Sequence, residues 1–114
     1  MAYDEDLAAR IRELLAEEPG VTEQKMFGGL AFLVGGNMAV AANGQGGLLV
    51  RVDPAKCDAL VATTTAHPME MRGQPMQGWL RVDEGDVRTK RQLVKWGGMG
   101  VTYARTLPAK RNRL

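Results

Sequence analysis

The sequence is poor in the side chains that most often build catalytic and metal sites. Its 114 residues include one cysteine, Cys57, and one histidine, His67. A lone cysteine excludes an internal disulfide, and two such residues fall short of the three or four ligands of a tight metal site. A nucleophilic Cys–His pair would also need an orienting third group. The sequence therefore predicts no catalytic residue, no metal and no cofactor.

Long apolar runs are also lacking. No stretch of about 18 apolar residues is present, so the sequence predicts no transmembrane helix. The start of the chain carries Asp4, Glu5 and Asp6, whereas a secretory signal is basic and then apolar. Together with the lack of disulfides, these features predict a cytoplasmic protein with no membrane partner.

Acidic residues are absent after Asp86, although they are plentiful before it. Residues 1–86 contain seven Lys or Arg and 13 Asp or Glu, a net charge of −6, whereas residues 87–114 contain eight Lys or Arg and no acid, a net charge of +8. The balance of the whole chain is only +2. Such an asymmetry is informative about partners rather than about fold.

What the chain does contain is ordinary globular composition, with 45% hydrophobic and 25% charged residues. No repeat or linker divides it, so we expect one domain over residues 1–114. Pro108 ends the last predicted helix, which leaves residues 108–114 as a basic tail that is expected to fray.

Three helices are predicted by apolar residues at helical spacing and by capping residues. Asp53 followed by Pro54 is a helix start, because Asp is a good N-cap and Pro at the first position loses no needed donor. Asp83 is the predicted cap of the last helix, with Asp86 as the alternative. The predicted ranges are Asp4–Glu17, Ala55–Ala62 and Val87–Leu107.

Alternating apolar residues separated by glycine-rich turns predict about five strands. In the first of them, Gly28 and Gly29 indicate a bulge or a close backbone approach. The predicted strands are Lys25–Val34, Asn37–Ala42, Leu48–Val52, Met69–Met71 and Met76–Val82. The fold class is therefore α+β, a two-layer sandwich in the order α-β-β-β-α-β-β-α with a mainly antiparallel sheet.

Several short segments together indicate a family resemblance: Lys25-Met26-Phe27-Gly28-Gly29, Gly36-Asn37-Met38, Leu49-Val50-Arg51-Val52, Pro75-Met76 with Trp79, and Trp96. They resemble the N-terminal domain of the TfoX/Sxy family, bacterial proteins named for a regulator of natural competence. The resemblance implies a fold similar to type III secretion chaperones and a regulatory role without established catalytic residues. Full-length competence regulators carry a further helical domain that this sequence lacks. We therefore expect a stand-alone N-terminal domain here.

One face of the predicted sheet is left without helices in a two-layer fold. Its apolar residues include Ala31, Ala39 and Ala41, diluted by Arg51, Gln77 and Arg81, and a patch of this kind is typical of an interface. The alternative is that loops or the last helix, split at Gly97–Gly100, cover this face. The predicted interface residues are Phe27, Leu33, Leu49 and Trp79.

The leading functional prediction is a non-enzymatic regulatory module that binds a protein partner and forms a homodimer. Nucleic-acid binding by the basic segment is the alternative, and a small-molecule or enzymatic role in a groove near Phe27-Gly28 is the third. The segment can equally be neutralised by acids of the first helix. The predicted nucleic-acid contacts are Arg88, Lys90, Arg91 and Lys95.

Three residue types have simpler predicted roles. Cys57 is expected to pack inward from its helix, as free cysteine usually does. His67, before Pro68, is expected in a surface loop. Most of the seven methionines alternate with polar residues, so the core is favoured over an adaptable binding surface.

Overall fold

One antiparallel sheet forms the centre of the molecule. The computed structural model describes residues 4–26, 28–44, 46–71 and 73–108. In order, these residues form α1 (Glu5–Leu14), β1 (Val21–Met26), β2 (Gly29–Val34), β3 (Asn37–Ala42), β4 (Leu48–Arg51), α2 (Cys57–Thr63), β5 (His67–Met71), β6 (Gln74–Val82) and α3 (Lys90–Thr106). The structure confirms the α+β class and the antiparallel sheet.

The six strands lie in the order β1-β2-β3-β4-β6-β5, and every neighbouring pair is antiparallel. After β4 the chain passes through a short 3₁₀ helix, Pro54–Lys56, and then α2. The Asp53 side chain caps the 3₁₀ helix by accepting a hydrogen bond from the Ala55 N–H, so the predicted cap residue is correct, whereas α2 itself begins later than predicted, at Cys57. The chain then runs along the edge strand β5 and returns beside β4 as β6. The strand predicted as Met69–Met71 is longer in the structure, where β5 begins at His67.

The prediction of a single strand over Lys25–Val34 is wrong at its start. This range covers the end of β1, a turn and all of β2, and the two strands form a hairpin. β1 ends at Met26 and β2 begins at Gly29, with Val21 opposite Val34 across the pair. Gly28 has a φ of +78°, a left-handed conformation that suits a tight turn and that glycine adopts without strain. Gly28 is therefore part of a turn rather than a bulge within a strand.

The last helix begins later than predicted and has a different cap. Thr89 accepts a hydrogen bond from the Gln92 N–H, and the Gln92 side chain accepts one from the Thr89 N–H. This reciprocal arrangement is a capping box, which satisfies two donors at the helix start. Asp83 instead precedes a short 3₁₀ helix, Glu84–Val87.

The glycines of α3 permit close packing and do not split it. The helix is continuous from Lys90 to Thr106. A Cβ atom added to Gly100 would meet the carbonyl oxygen of Ala39, and one added to Gly97 would lie 2.8 Å from Leu14 Cδ2. Because both glycines lie against other elements, α3 can approach the sheet and α1 closely.

All three helices contribute to one buried cluster on one face of the sheet. Its largest fully buried side chains include Ile11, Phe32, Leu48 and Leu80. Cys57 is buried in this cluster, as predicted. The described part of the chain places no helix over the opposite face, which we call the open face.

A bulge in β3 changes which residues reach the open face. Phe32 pairs with Val40 but Leu33 pairs with Met38, so Ala39 is the extra residue of the bulge. Ala39 is fully buried in the helix-side core, which makes its predicted place on the open face wrong. Alternation predicts that Met38 shares a side with Val40, and it lies instead on the open face beside Leu33.

Candidate functional site

The open face forms a groove of about 560 Å³ that residues from five strands line. Its floor contains small residues, Gly29 and Ala41, and Ala41 pairs with Ala31, which is fully buried. Larger side chains stand around this floor. The apolar residues of this open-face groove are Met38, Leu49, Pro68, Met69, Met76 and Trp79.

Three methionines of the groove were predicted to lie in the core, and that prediction is wrong. Met38 reaches the open face because of the bulge at Ala39. Met69 lies in the edge strand β5, where the register with β6 shifts between Pro68 and Glu70. Each of the three is partly exposed. Methionine is unbranched and polarizable, so these walls can adapt to differently shaped apolar surfaces.

Trp79 is held in the groove wall by a neighbouring cation. The guanidinium carbon of Arg51 lies 5.3 Å from the centroid of the Trp79 ring and 5.9 Å from that of Tyr103 in α3. Arg51 comes directly after Val50, where the pairing of β3 with β4 ends. The cation–π contact with Trp79 stabilises the indole ring in this orientation.

The charged residues of the groove are Arg81, Glu70 and His67. Within the described residues, neither Arg81 nor Glu70 forms an ion pair or a hydrogen bond through its side chain. Arg81 is partly buried, whereas Glu70 is exposed to solvent. The charge inside the groove is therefore a guanidinium group, and the carboxylate stands at the rim.

His67 does not lie in a loop as predicted. It begins β5, opposite Arg81 of β6. Its Nε2 lies 2.9 Å from Oδ2 of Asp83, and both side chains are about half exposed (48% and 58%). The imidazole of His67 is therefore paired with Asp83. This leaves Arg81 as the groove cation that a bound group can contact.

Three of the four predicted interface residues share the open face. Leu33, Leu49 and Trp79 are all partly exposed there, and Leu49 and Trp79 line the groove while Leu33 lies outside its lining. Phe27, the fourth, falls outside the described residues. Cover by a split last helix, one of the predicted alternatives, is wrong, because α3 is unbroken and packs on the opposite side.

The four predicted nucleic-acid contacts are exposed at the start of α3. Arg88, Lys90, Arg91 and Lys95 form no ion pair in the described part of the chain. Arg91 and Lys95 lie one turn apart. The ammonium nitrogen of Lys95 lies 5.3 Å from the centroid of the Trp96 ring.

The fourth cation of α3, Arg105, is neutralised within the fold. Arg105 forms an ion pair of 2.6 Å with Glu18, which follows α1. The acid of this pair lies beyond the first helix, whereas the sequence predicts neutralisation by acids within that helix. Asn37 donates a 2.9 Å hydrogen bond to the carbonyl oxygen of Pro108, and the remainder of the predicted tail, residues 109–114, lies outside the described residues.

The described residues hold no group of three His, Cys, Asp or Glu that is suited to a metal ion. Their helices are also too short or too polar to cross a bilayer. Cys57 Sγ lies 4.0 Å from the carbonyl oxygen of Trp79 and is buried. The thiol therefore packs beneath the groove strand rather than facing the groove.

Comparison with known proteins identifies one family. The model of the TfoX N-terminal domain matches residues 13–104. This span contains every residue of the open-face groove and most of α3. No curated protein matches the chain in sequence.

Proposed function

Because this chain belongs to the TfoX N-terminal domain family, we propose that it is a regulatory module that acts by binding protein rather than by catalysis. The open face is its binding surface. Family membership supports the regulatory role, and the uncovered apolar face supports binding through protein contacts.

The observation that carries this proposal is the distribution of helices. All three pack on one side of the sheet, so Leu33, Leu49 and Trp79 meet no helix of the described chain on the open face. Contiguous apolar surface of this kind is typical of interaction sites, since burying it against a partner removes it from water. Aromatic and methionine side chains are also enriched at the centres of interfaces.

A second copy of the chain is the proposed occupant. In a two-fold dimer the same patch is used on both copies, so a contact between residue i of one copy and residue j of the other occurs twice, once in each direction. Arg81 and Glu70 both line the groove and neither pairs within the described chain. Two-fold docking would let Arg81 of one protomer face Glu70 of its partner.

Sedimentation velocity at micromolar concentration tests the proposal. We expect a dimer for the natural chain and a monomer for Trp79→Arg and Leu33→Glu, each with an unchanged circular dichroism spectrum. The matched control is Val94→Arg, which changes an exposed apolar residue of α3 away from the sheet and should leave the dimer intact. A monomeric natural chain, or a folded Leu33→Glu variant of unchanged mass, contradicts self-association.

Nucleic-acid binding is a second candidate, and three exposed cations of α3 that form no ion pair with a described residue favour it, namely Lys90, Arg91 and Lys95. Arg91 and Lys95 lie one turn apart and point to solvent, a spacing that suits contact with successive phosphates. Titration of labelled DNA and RNA at two salt concentrations tests it, because phosphate contacts weaken steeply as salt rises. Changing Lys90, Arg91 and Lys95 to Ala should abolish binding. No binding at low salt would eliminate this candidate.

A further inference from the structure

We infer that the open-face groove also binds a small molecule with an apolar body and one carboxylate group. The carboxylate pairs with Arg81, and the body lies among the methionines and Trp79. The ligand would occupy the groove that a second copy covers in the proposed dimer, since both contact Arg81. The two would therefore compete, and the inference adds a ligand class to the protein-binding role.

The dimensions of the groove fit a ligand of this kind. Its volume of about 560 Å³ falls within the range of roughly 300–1,000 Å³ that is usual for small-molecule sites. Such sites are mainly apolar and contain a few polar groups that orient the ligand. Here the apolar walls come from Met38, Leu49 and Trp79, and the orienting group is Arg81.

The charge inside the groove selects an acid rather than an amine. Arg81 is partly buried and has no carboxylate partner among the described residues. His67 pairs with Asp83, and Glu70 is exposed at the rim, where water solvates it. A guanidinium group presents paired N–H donors that match the two oxygens of a carboxylate.

The surroundings favour a carboxylate over a phosphate. Phosphate sites usually combine several cations or the N–H groups at a helix start. Among the described groove-lining residues, Arg81 is the one Lys or Arg. These lining residues lie on strands and loops rather than at a helix start. A single charge with a large apolar body matches this arrangement.

Methionine methyl signals provide a direct test. The protein would be labelled with ¹³C at the methionine methyl groups and titrated with octanoate, octanamide and octylamine. Met38, Met69 and Met76 line the groove, whereas Met99 packs against the core on the other side of the sheet. We expect saturable shifts at the three groove methyls with octanoate and none at Met99.

Variants then isolate the role of Arg81. Arg81→Gln should weaken octanoate binding about tenfold, as expected for loss of a charge-assisted hydrogen bond, and should leave the weaker octanamide binding unchanged. Arg91→Gln removes the same charge from exposed α3 and should have no effect. Absent groove shifts, equal shifts at Met99, stronger binding of octylamine, or unchanged octanoate affinity in Arg81→Gln would each overturn the inference.

The same titration in the Leu33→Glu background separates this inference from self-association. Leu33 lies on the open face but does not line the groove, so this variant should remain able to bind octanoate as a monomer. If the natural chain is monomeric and octanoate shifts its groove methyl signals, the result would support the ligand site and contradict the dimer. A natural chain that dimerises, with a Leu33→Glu monomer that shows no octanoate shifts, would support the dimer and contradict the ligand site.

Discussion

Arg12 of α1 and Glu23 of β1 form a two-point ion pair, with Nε 2.6 Å from Oε2 and Nη2 2.8 Å from Oε1. The pair ties the first helix to the edge strand of the sheet. The hydrogen bond from Arg12 is the main cause that lowers the pKa of Glu23, with its positive charge adding to the effect, while partial burial opposes it. The ionised carboxylate is therefore the form that stabilises the fold.

Glu23→Gln should reduce the free energy of unfolding by about 0.5 kcal/mol at pH 7, a value typical of partly exposed ion pairs. Because the folded-state pKa is lowered, the stabilisation is present above the unfolded-state value of about 4.3 and is lost as the pH falls through the folded-state value. Urea unfolding at pH 7 and pH 3 measures this. Glu17→Gln, an exposed change after α1, is the control, and an undiminished Glu23→Gln effect at pH 3 would contradict the prediction.

Two glycines of α3 should respond to alanine in opposite directions. Gly100→Ala places a Cβ atom against the Ala39 carbonyl oxygen and 2.8 Å from Val40 Cγ1. We expect a net loss of about 1–3 kcal/mol because overpacking outweighs the gain in helix propensity. Gly98→Ala meets open space and should gain about 0.5–1 kcal/mol. Thermal unfolding of both variants decides the matter, and a stabilised Gly100→Ala chain would show that α3 does not pack as described.

The start of α3 supplies a third prediction. Thr89→Ala removes the side-chain acceptor of the Gln92 N–H and should cost about 1 kcal/mol. Asp86→Ala, a change at the alternative cap that the sequence indicates, should cost less because Asp86 lies in the preceding 3₁₀ helix. Chemical denaturation compares the two. A loss for Thr89→Ala that is no larger than the loss for Asp86→Ala would contradict this assignment of the cap.

The cap of α3 illustrates which features of the fold could be predicted from local sequence patterns and which could not. Thr89 and Gln92 have the spacing of a capping box, so a local signal exists, but Asp83 and Asp86 compete with it as acidic cap candidates. The strand β1 is harder to find, because Val21–Met26 is an edge strand with charged residues and a weak apolar pattern. The helices, the hairpin at Gly35-Gly36 and the antiparallel class follow from local patterns alone.

The groove is less predictable because tertiary packing creates it. Simple alternation assigns Met38 to the core, and the bulge at Ala39 reverses that assignment. The bulge lies where Gly100 of α3 meets the Ala39 backbone, a contact between residues that are distant in sequence. Leu49 and Trp79 can be assigned to the open face because β4 and β6 pair there without a register shift.

The last prediction concerns the charges of the proposed dimer. If Arg81 of one protomer faces Glu70 of its partner, Arg81→Glu should place two carboxylates together and weaken the dimer about tenfold or more, since like charges across an interface are costly. Glu70→Arg should weaken it similarly by pairing two guanidinium groups. The double variant Arg81→Glu/Glu70→Arg restores opposite charges and should recover most of the lost affinity. Sedimentation equilibrium at low salt measures all three dissociation constants, with Arg91→Glu on the outer side of α3 as the charge-matched control. Recovery in the double variant would support this two-fold pairing, whereas additive losses would show that the two residues do not meet across the interface.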